Sequence, residues 1–202
     1  MIFNPQDMKP RDMYKLMIGI INPRPIAWVS TCDQAGATNL APYSFFTGVS
    51  AHPPTLLFCP ANTRDGTKKD TLLNIEETEE FVVNVVPYHL ADAMSDTSAP
   101  LSKGQSEFEA YHLSSSPATH VRPPLLKPSP VNIECRLQEI VRVGEGPLAG
   151  NIIIGTILCI HMDDQVLDAS GMPDPEKLDL IGRMGTTFYS RTQQRFEIER
   201  PS

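Results

Sequence analysis

The sequence predicts one mainly β domain with peripheral α-helices, spanning residues 1–202. Two long runs rich in β-branched and apolar residues, VNIECRLQEIVRV and NIIIGTILCIHM, are separated by a Gly-containing joint and read as paired strands. A second strand-like alternation begins at Ile26, and 19 prolines keep helices short throughout. With 202 residues and 41% hydrophobic composition, the chain is long enough to bury one sizeable core.

Met13, Leu16, Met17 and Ile20 recur at i, i+3, i+4 and i+7, and Pro10 suits a first helical turn. A helix over 10–21 with one packed face follows, ended by Pro23. Ile26, Trp28 and Ser30 then alternate with Ala27, Val29 and Thr31, and a turn at Asp33 to Gly36 lets Thr38 to Ala41 return as the second strand of a hairpin. Pro42 has no N–H for a ladder, so it is expected to end the pairing and leave the N–H groups of Tyr43, Ser44 and Phe45 facing a ligand.

Thr55 to Pro60 reads as a further strand. Asp70 or Thr71 is expected to cap a short helix across Leu72 to Thr78, followed by the strand FVVNVV and a third helix between His89 and Ser95. From Asp96 to Pro130 six prolines and many polar residues forbid long regular elements. That stretch reads as an excursion on the barrel that shapes substrate access, embraces a partner subunit, or is a variable surface loop. The runs 131–143 and 151–162, joined through Gly144 to Gly150, are expected to complete a barrel as two long antiparallel strands.

A net charge of −7 and the lack of a basic stripe argue against nucleic acid. The apolar runs break well before the ~20 residues a membrane helix needs. The start MIFNPQDMKPRD has early Pro and Asp rather than a signal peptide's apolar core, so a cytoplasmic protein is expected. Cys32, Cys59, Cys135 and Cys159 are too scattered for a zinc motif. Cys59, Cys135 and Cys159 are expected to be inert packing, while Cys32 opens the hairpin turn and is expected to be exposed. His52, His89, His112 and His120 lack metal-ligand spacing, so no metal is expected, and without a GxSxG elbow hydrolysis is a poor reading.

The run NPRPIAWVSTCDQAGATNLAPYSFF, from Asn22 to Phe46, closely resembles the flavin reductase-like family, which includes flavoredoxin-type electron carriers. The likeness continues through TLLFCP, KKDTLLNIEETEEFVVN and IIIGTILCIHMDD to GRMGTTFYSR at Gly182 to Arg191. It implies an FMN-binding split β-barrel with peripheral helices, assembled as a homodimer whose flavin lies at or near the subunit interface. By that resemblance Trp28, Val29, Ser30 and Thr31 line the flavin together with Asn39, Leu40, Ala41, Pro42, Tyr43, Ser44 and Phe45. The segment Lys68, Lys69, Asp70 and Thr71 grips its phosphate, with Lys69 and Thr71 as direct contacts.

The residue chemistry agrees with that implication. A flavin ring needs apolar packing with a few directed donors, which an Asn amide, a Ser hydroxyl and released backbone N–H groups supply. A phosphate suits a Lys pair at a helix start. No catalytic acid–base residue is required, because the flavin carries the chemistry; His161 and Arg183 are candidate assistants only. The implied cycle takes hydride from NADH or NADPH and delivers electrons to a second flavin, a partner monooxygenase or a small acceptor. The Gly-Asp-His tripeptide of many two-component flavin reductases is missing, and Gly182-Arg183-Met184-Gly185 stands before Tyr189 instead. Two alternatives therefore stay open: an electron-transfer flavoprotein reduced by a protein donor, and an FMN-binding protein without turnover.

Overall fold

A computed structural model describes residues 1–102 and 104–201. The chain opens with α1 (Pro10–Ile20), whose Pro10 occupies the first turn as the spacing predicts. The hairpin β1 (Ala27–Cys32) and β2 (Thr38–Tyr43) follows, then β3 (Phe46–Ala51) and β4 (Pro54–Phe58). Next come α2 (Asp70–Thr78) and β5 (Glu80–Asn84). α3 (Ala91–Asp96) leads into the Pro-rich excursion, whose described residues hold only α4 (Glu107–Ala110) and the two-residue strands β6 (Ser115–Ser116) and β7 (Leu125–Leu126). The long arms β8 (Val131–Val143) and β9 (Gly150–Met162) lie where the sequence predicts, and α5 (Pro175–Leu178) leads to a terminal hairpin of β10 (Ile181–Met184) and β11 (Phe188–Arg191).

Seven strands form one sheet in the order β2-β1-β5-β8-β9-β4-β3, with every neighbouring pair antiparallel. β2 and β3 remain as edges, so the curled sheet does not close: the architecture is a split barrel. The alternation in β1 sends successive side chains to two different cores. Val29 packs with Phe58, Leu72, Ile75, Phe81 and Ile153, under α2. Trp28 packs with Leu40, Val86, Met94, Phe108 and Leu126, under the excursion. Both faces being covered, all six residues of β1 are buried.

Three expectations need correction. Pairing does not stop at Pro42, which stands opposite Trp28, with Tyr43 still opposite Ala27. Pro is tolerated there because β2 is an edge strand with no neighbour on its other side. Cys32 is the last residue of β1, only 3% exposed, and burial pushes its thiol pKa up, which removes any exposed redox role. The start of α2 has Lys69 at its N-cap and no side-chain cap from Asp70 or Thr71. The edge β2 is protected instead from the excursion, where the Glu107 carboxylate accepts the Leu40 N–H at 2.8 Å.

β4 and β8 flank β9 at Gly155, where a Cβ would stand 2.9 Å from Phe81 Cε1 and closer still to Cζ. Phe81 is fully buried and meets Phe58 edge-on at 5.4 Å, so the ring has nowhere to retreat. Gly155→Ala is expected to cost about 1–3 kcal/mol of stability by overpacking, measured by denaturant unfolding; a loss below a few tenths would mean the ring moves freely.

Candidate functional site

The bend that leaves β2 and the start of α2 are tied through one hydroxyl. Asn39 Nδ2 and Tyr43 Oη both donate to Thr71 Oγ1 at 2.9 Å, and Asn74 Nδ2 donates to Thr31 Oγ1 at 3.0 Å. The network fixes α2 against β1 and β2, and burial raises the Tyr43 phenol well above its ordinary pKa. Above the Tyr43 ring, 5.5 Å from its centroid, sits the Lys69 ammonium, which has no carboxylate partner among the described residues. Its surroundings strip part of its hydration and lower its pKa. The N–H groups of Asp70 and Thr71 find no acceptor within the chain among the described residues, so α2 presents them outward beside Lys69. Lys68 is directed elsewhere, onto Glu76 at 2.6 Å, which also holds Arg142.

Around the same bend lies a cavity of about 310 Å³ between α1, α3 and the terminal hairpin. Its lining includes Tyr14, Arg24, Ser44, Ser98, Arg183 and Tyr189. Arg24 is only 4% exposed and gives all its bonds to neutral acceptors. Nη1 donates to the Ile18 and Ile21 carbonyls at 2.8 Å, at the C-terminal end of α1, and to Asn22 Oδ1 at 3.1 Å. Nη2 reaches the Gly185 carbonyl at 3.4 Å, and Nε reaches Ser44 Oγ at 3.3 Å. Burial lowers the Arg24 pKa, Tyr14 opposes that shift, and nearby Arg183 adds to it.

Arg24 and Arg183 also bridge through their backbones, N–H to carbonyl at 3.0 and 2.8 Å. The Arg183 guanidinium lies 4.5 Å from the Tyr189 ring centroid and donates to Tyr189 Oη and to the Thr186 carbonyl. At the bend itself, the Ser44 and Phe45 N–H groups have no acceptor within the chain among the described residues. The cavity thus gathers cations and donors, and among the described residues its lining contains no carboxylate.

The fold brings Asn39, Tyr43, Ser44, Lys69, Asp70 and Thr71 to one neighbourhood and joins Arg183 to it, while Ala41, Pro42 and Phe45 are half-buried there. Trp28, Val29, Ser30, Thr31 and Leu40 are fully buried, so their side chains serve the cores and the network. Trp28 Nε1 donates to Thr97 Oγ1 at 2.8 Å, and Ser30 Oγ donates to the Pro124 carbonyl at 2.6 Å. Arg24 escapes a reading of the sequence alone; its signal is a cation held between two prolines in an apolar run, NPRPIAW.

His161 is placed away from the cavity lining, on β9, where its Nε2 lies 2.5 Å from Glu134 Oε1. Glu134 is fully buried and also accepts the Thr119 and His120 N–H groups at 2.7 and 2.6 Å, tying the excursion to β8. The donor atoms of Glu134, Cys159 and His161 lie within 4.8 Å of one another, yet Glu134 already commits both oxygens to three donors.

Comparison with known proteins places these residues among relatives. Residues 20–184 match the model of the flavin reductase like domain. The uncharacterized protein YwrF of Bacillus subtilis is 34% identical over 204 residues, covering 100% of this chain and 99% of that one. The crystal structure of nitrilotriacetate monooxygenase component B from Bacillus cereus superposes with a TM-score of 0.92 at 30% identity, over 98% of each chain. That of Pseudomonas fluorescens 2-nitrobenzoate 2-nitroreductase gives 0.90 at 28% identity, over 100% of this chain and 97% of that one.

Burial alone would raise the Glu134 carboxyl pKa, but the Thr119 and His120 N–H groups and His161 outweigh it and hold the pKa below the ordinary 4.5. A depressed folded pKa stabilises the fold above the unfolded value, and that contribution disappears as pH falls through the folded one. Glu134→Gln is expected to cost about 1.5–3 kcal/mol at pH 7 and to flatten the loss of stability below pH 4.5. Unfolding curves across pH test this; an acid limb of unchanged slope would remove Glu134 as its source.

Proposed function

This chain belongs to the flavin reductase-like family, and we propose that it is an FMN-dependent oxidoreductase. In this reading it accepts hydride from NADH or NADPH and passes the electrons to a small acceptor or a partner protein. The observation that carries it is the meeting of two donor sets at Tyr43. Lys69 lies over the Tyr43 ring at the start of α2, with the N–H groups of Asp70 and Thr71, and the N–H groups of Ser44 and Phe45 follow Tyr43 in the bend; none of these four N–H groups has an acceptor within the chain among the described residues.

The donor chemistry fits FMN. Lys69 and the first turn of α2 would hold the phosphate, since a desolvated ammonium beside a helix start favours a dianion. Ser44, Phe45 and Asn39 would hold the ring's polar edge, with Tyr43 and Phe45 as apolar walls. The flavin, when bound, supplies the hydride and electron chemistry. The chain's own residues orient it and offer donors where negative charge develops on reduction, and no side chain need transfer a proton. Lys68, held by Glu76, would tune the field near the phosphate rather than touch it.

A homodimer belongs to the proposal, supported by the exposed Val141, Val143 and Ile160 on the long arms. A second reading, an electron carrier reduced by a protein donor, is favoured by the absence of a Gly-Asp-His tripeptide and by the hairpin carrying Arg183 at the cavity.

Lys69→Ala is expected to weaken FMN binding roughly ten- to a hundredfold, as loss of about 1.5–3 kcal/mol from a charge-assisted contact requires, while riboflavin binding changes little. Equal weakening of both ligands in fluorescence titrations would refute the phosphate assignment. Anaerobic addition of NADH or NADPH to the FMN-loaded protein is expected to bleach the flavin band. Persistence of the band with both nucleotides, together with bleaching by a reduced ferredoxin-type protein, selects the carrier.

A further inference from the structure

The cavity between α1, α3 and the terminal hairpin has an electrostatic composition at odds with the rest of the chain. The whole protein carries a net charge of −7, yet among the described residues the cavity lining contains two arginines and no Asp or Glu. Neither Arg24 nor Arg183 has a carboxylate within ion-pair distance among the described residues. Buried or half-buried cations are ordinarily matched by an anion, because partial carbonyl charges only incompletely replace water.

The two arginines have different capacities. Arg24 is spent on carbonyls, Asn22 and Ser44, and is too buried to fork onto a ligand; it contributes a fixed positive field. Arg183 is half-buried and uses its known contacts on Tyr189 and Thr186, leaving further N–H donors among its five. One available guanidinium with a second cation behind it suits one planar anionic group of two oxygens better than a tetrahedral dianion. The remaining walls combine the rings of Tyr14 and Tyr189 with Ile18, Ile26 and Met94 and the hydroxyls of Ser95, Ser98 and Thr186, a lining for a flat body with a polar substituent, while Tyr43 and Ser44 close the side nearest the bend. About 310 Å³ suits a single substituted ring and is small for a whole dinucleotide.

We infer that this cavity is a binding site for a small aromatic carboxylate, its carboxylate on Arg183 within the field of Arg24 and its ring between Tyr14 and Tyr189, clear of the Tyr43–Ser44 side that the flavin reading assigns to the flavin. Its use as the second-substrate site rests on the flavin reading; its geometry and charge do not.

Benzoate and its neutral isostere benzamide are the probes, titrated calorimetrically into the protein with and without saturating FMN. Benzoate is expected to bind both forms about tenfold or more tighter than benzamide, with an affinity that falls as salt rises. Arg183→Gln is expected to erase that preference, while Arg183→Lys, which keeps the charge without the fork, retains part of it. Should Arg183→Gln fail to fold, the Arg183→Lys variant and the wild-type ratio decide. Equal affinity for the two probes, an undiminished preference in the variants, or displacement of benzoate by FMN would each overturn the inference. Benzoate binding by a protein that ignores FMN would leave the inference standing and refute the flavin reading instead.

Discussion

The buried guanidinium of Arg24 is the contact on which the arrangement of the site depends. It joins three segments that the sheet does not hold together: the last turn of α1, the bend after β2 and the terminal hairpin. A helix C-terminus presents unsatisfied carbonyls and the negative end of its dipole, so an arginine there offsets part of its own desolvation. The backbone bridge from Arg24 to Arg183 then fixes the hairpin against the same spot. A lysine cannot substitute, because one ammonium cannot reach Ile18, Ile21 and Ser44 simultaneously. The cavity exists because these elements are held apart at fixed distances around a charge.

The split barrel supplies the second constraint. β2 is an edge strand, and only at an edge can Pro42 sit opposite Trp28 without breaking a ladder on both sides. Beyond Tyr43 the chain leaves the sheet, and the N–H groups of Ser44 and Phe45 have no acceptor within the chain among the described residues. The hydroxyl of Thr71 locks this bend to α2, so the donors at the helix start and those at the bend keep a fixed relation. Preorganised donors do not have to be ordered when a ligand arrives, which is how a site with few side-chain contacts can still bind firmly.

Much of the fold was legible because its signals are local. The arms 131–143 and 151–162, the helix beginning at Pro10 and the hairpin around Asp33 to Gly36 follow from periodicity and turn chemistry in their own residues. Pro42 misleads because a strand's position in the sheet, edge or centre, is set by distant pairing. Cys32 lies beside a turn but is only 3% exposed, a consequence of tertiary packing. The Lys68-Lys69 pair reads as one basic unit until Glu76, eight residues on, takes the first and leaves the second over Tyr43. His161 has the composition of a reactive residue, and only the register of β8 with β9 brings Glu134 to it. Arg24 is silent in the sequence because its partners are backbone carbonyls, which no residue type announces.

The most direct measurement of this account is the visible absorption spectrum of the flavin during titration of FMN with the wild-type protein and with Arg24→Lys, each checked for folding by circular dichroism. The wild type is expected to shift and saturate the flavin bands. Arg24→Lys, still folded, is expected to bind FMN at least about tenfold more weakly because the bend and hairpin lose their shared anchor. Undisturbed FMN binding by a folded Arg24→Lys, or no spectral change with the wild type, would contradict this account.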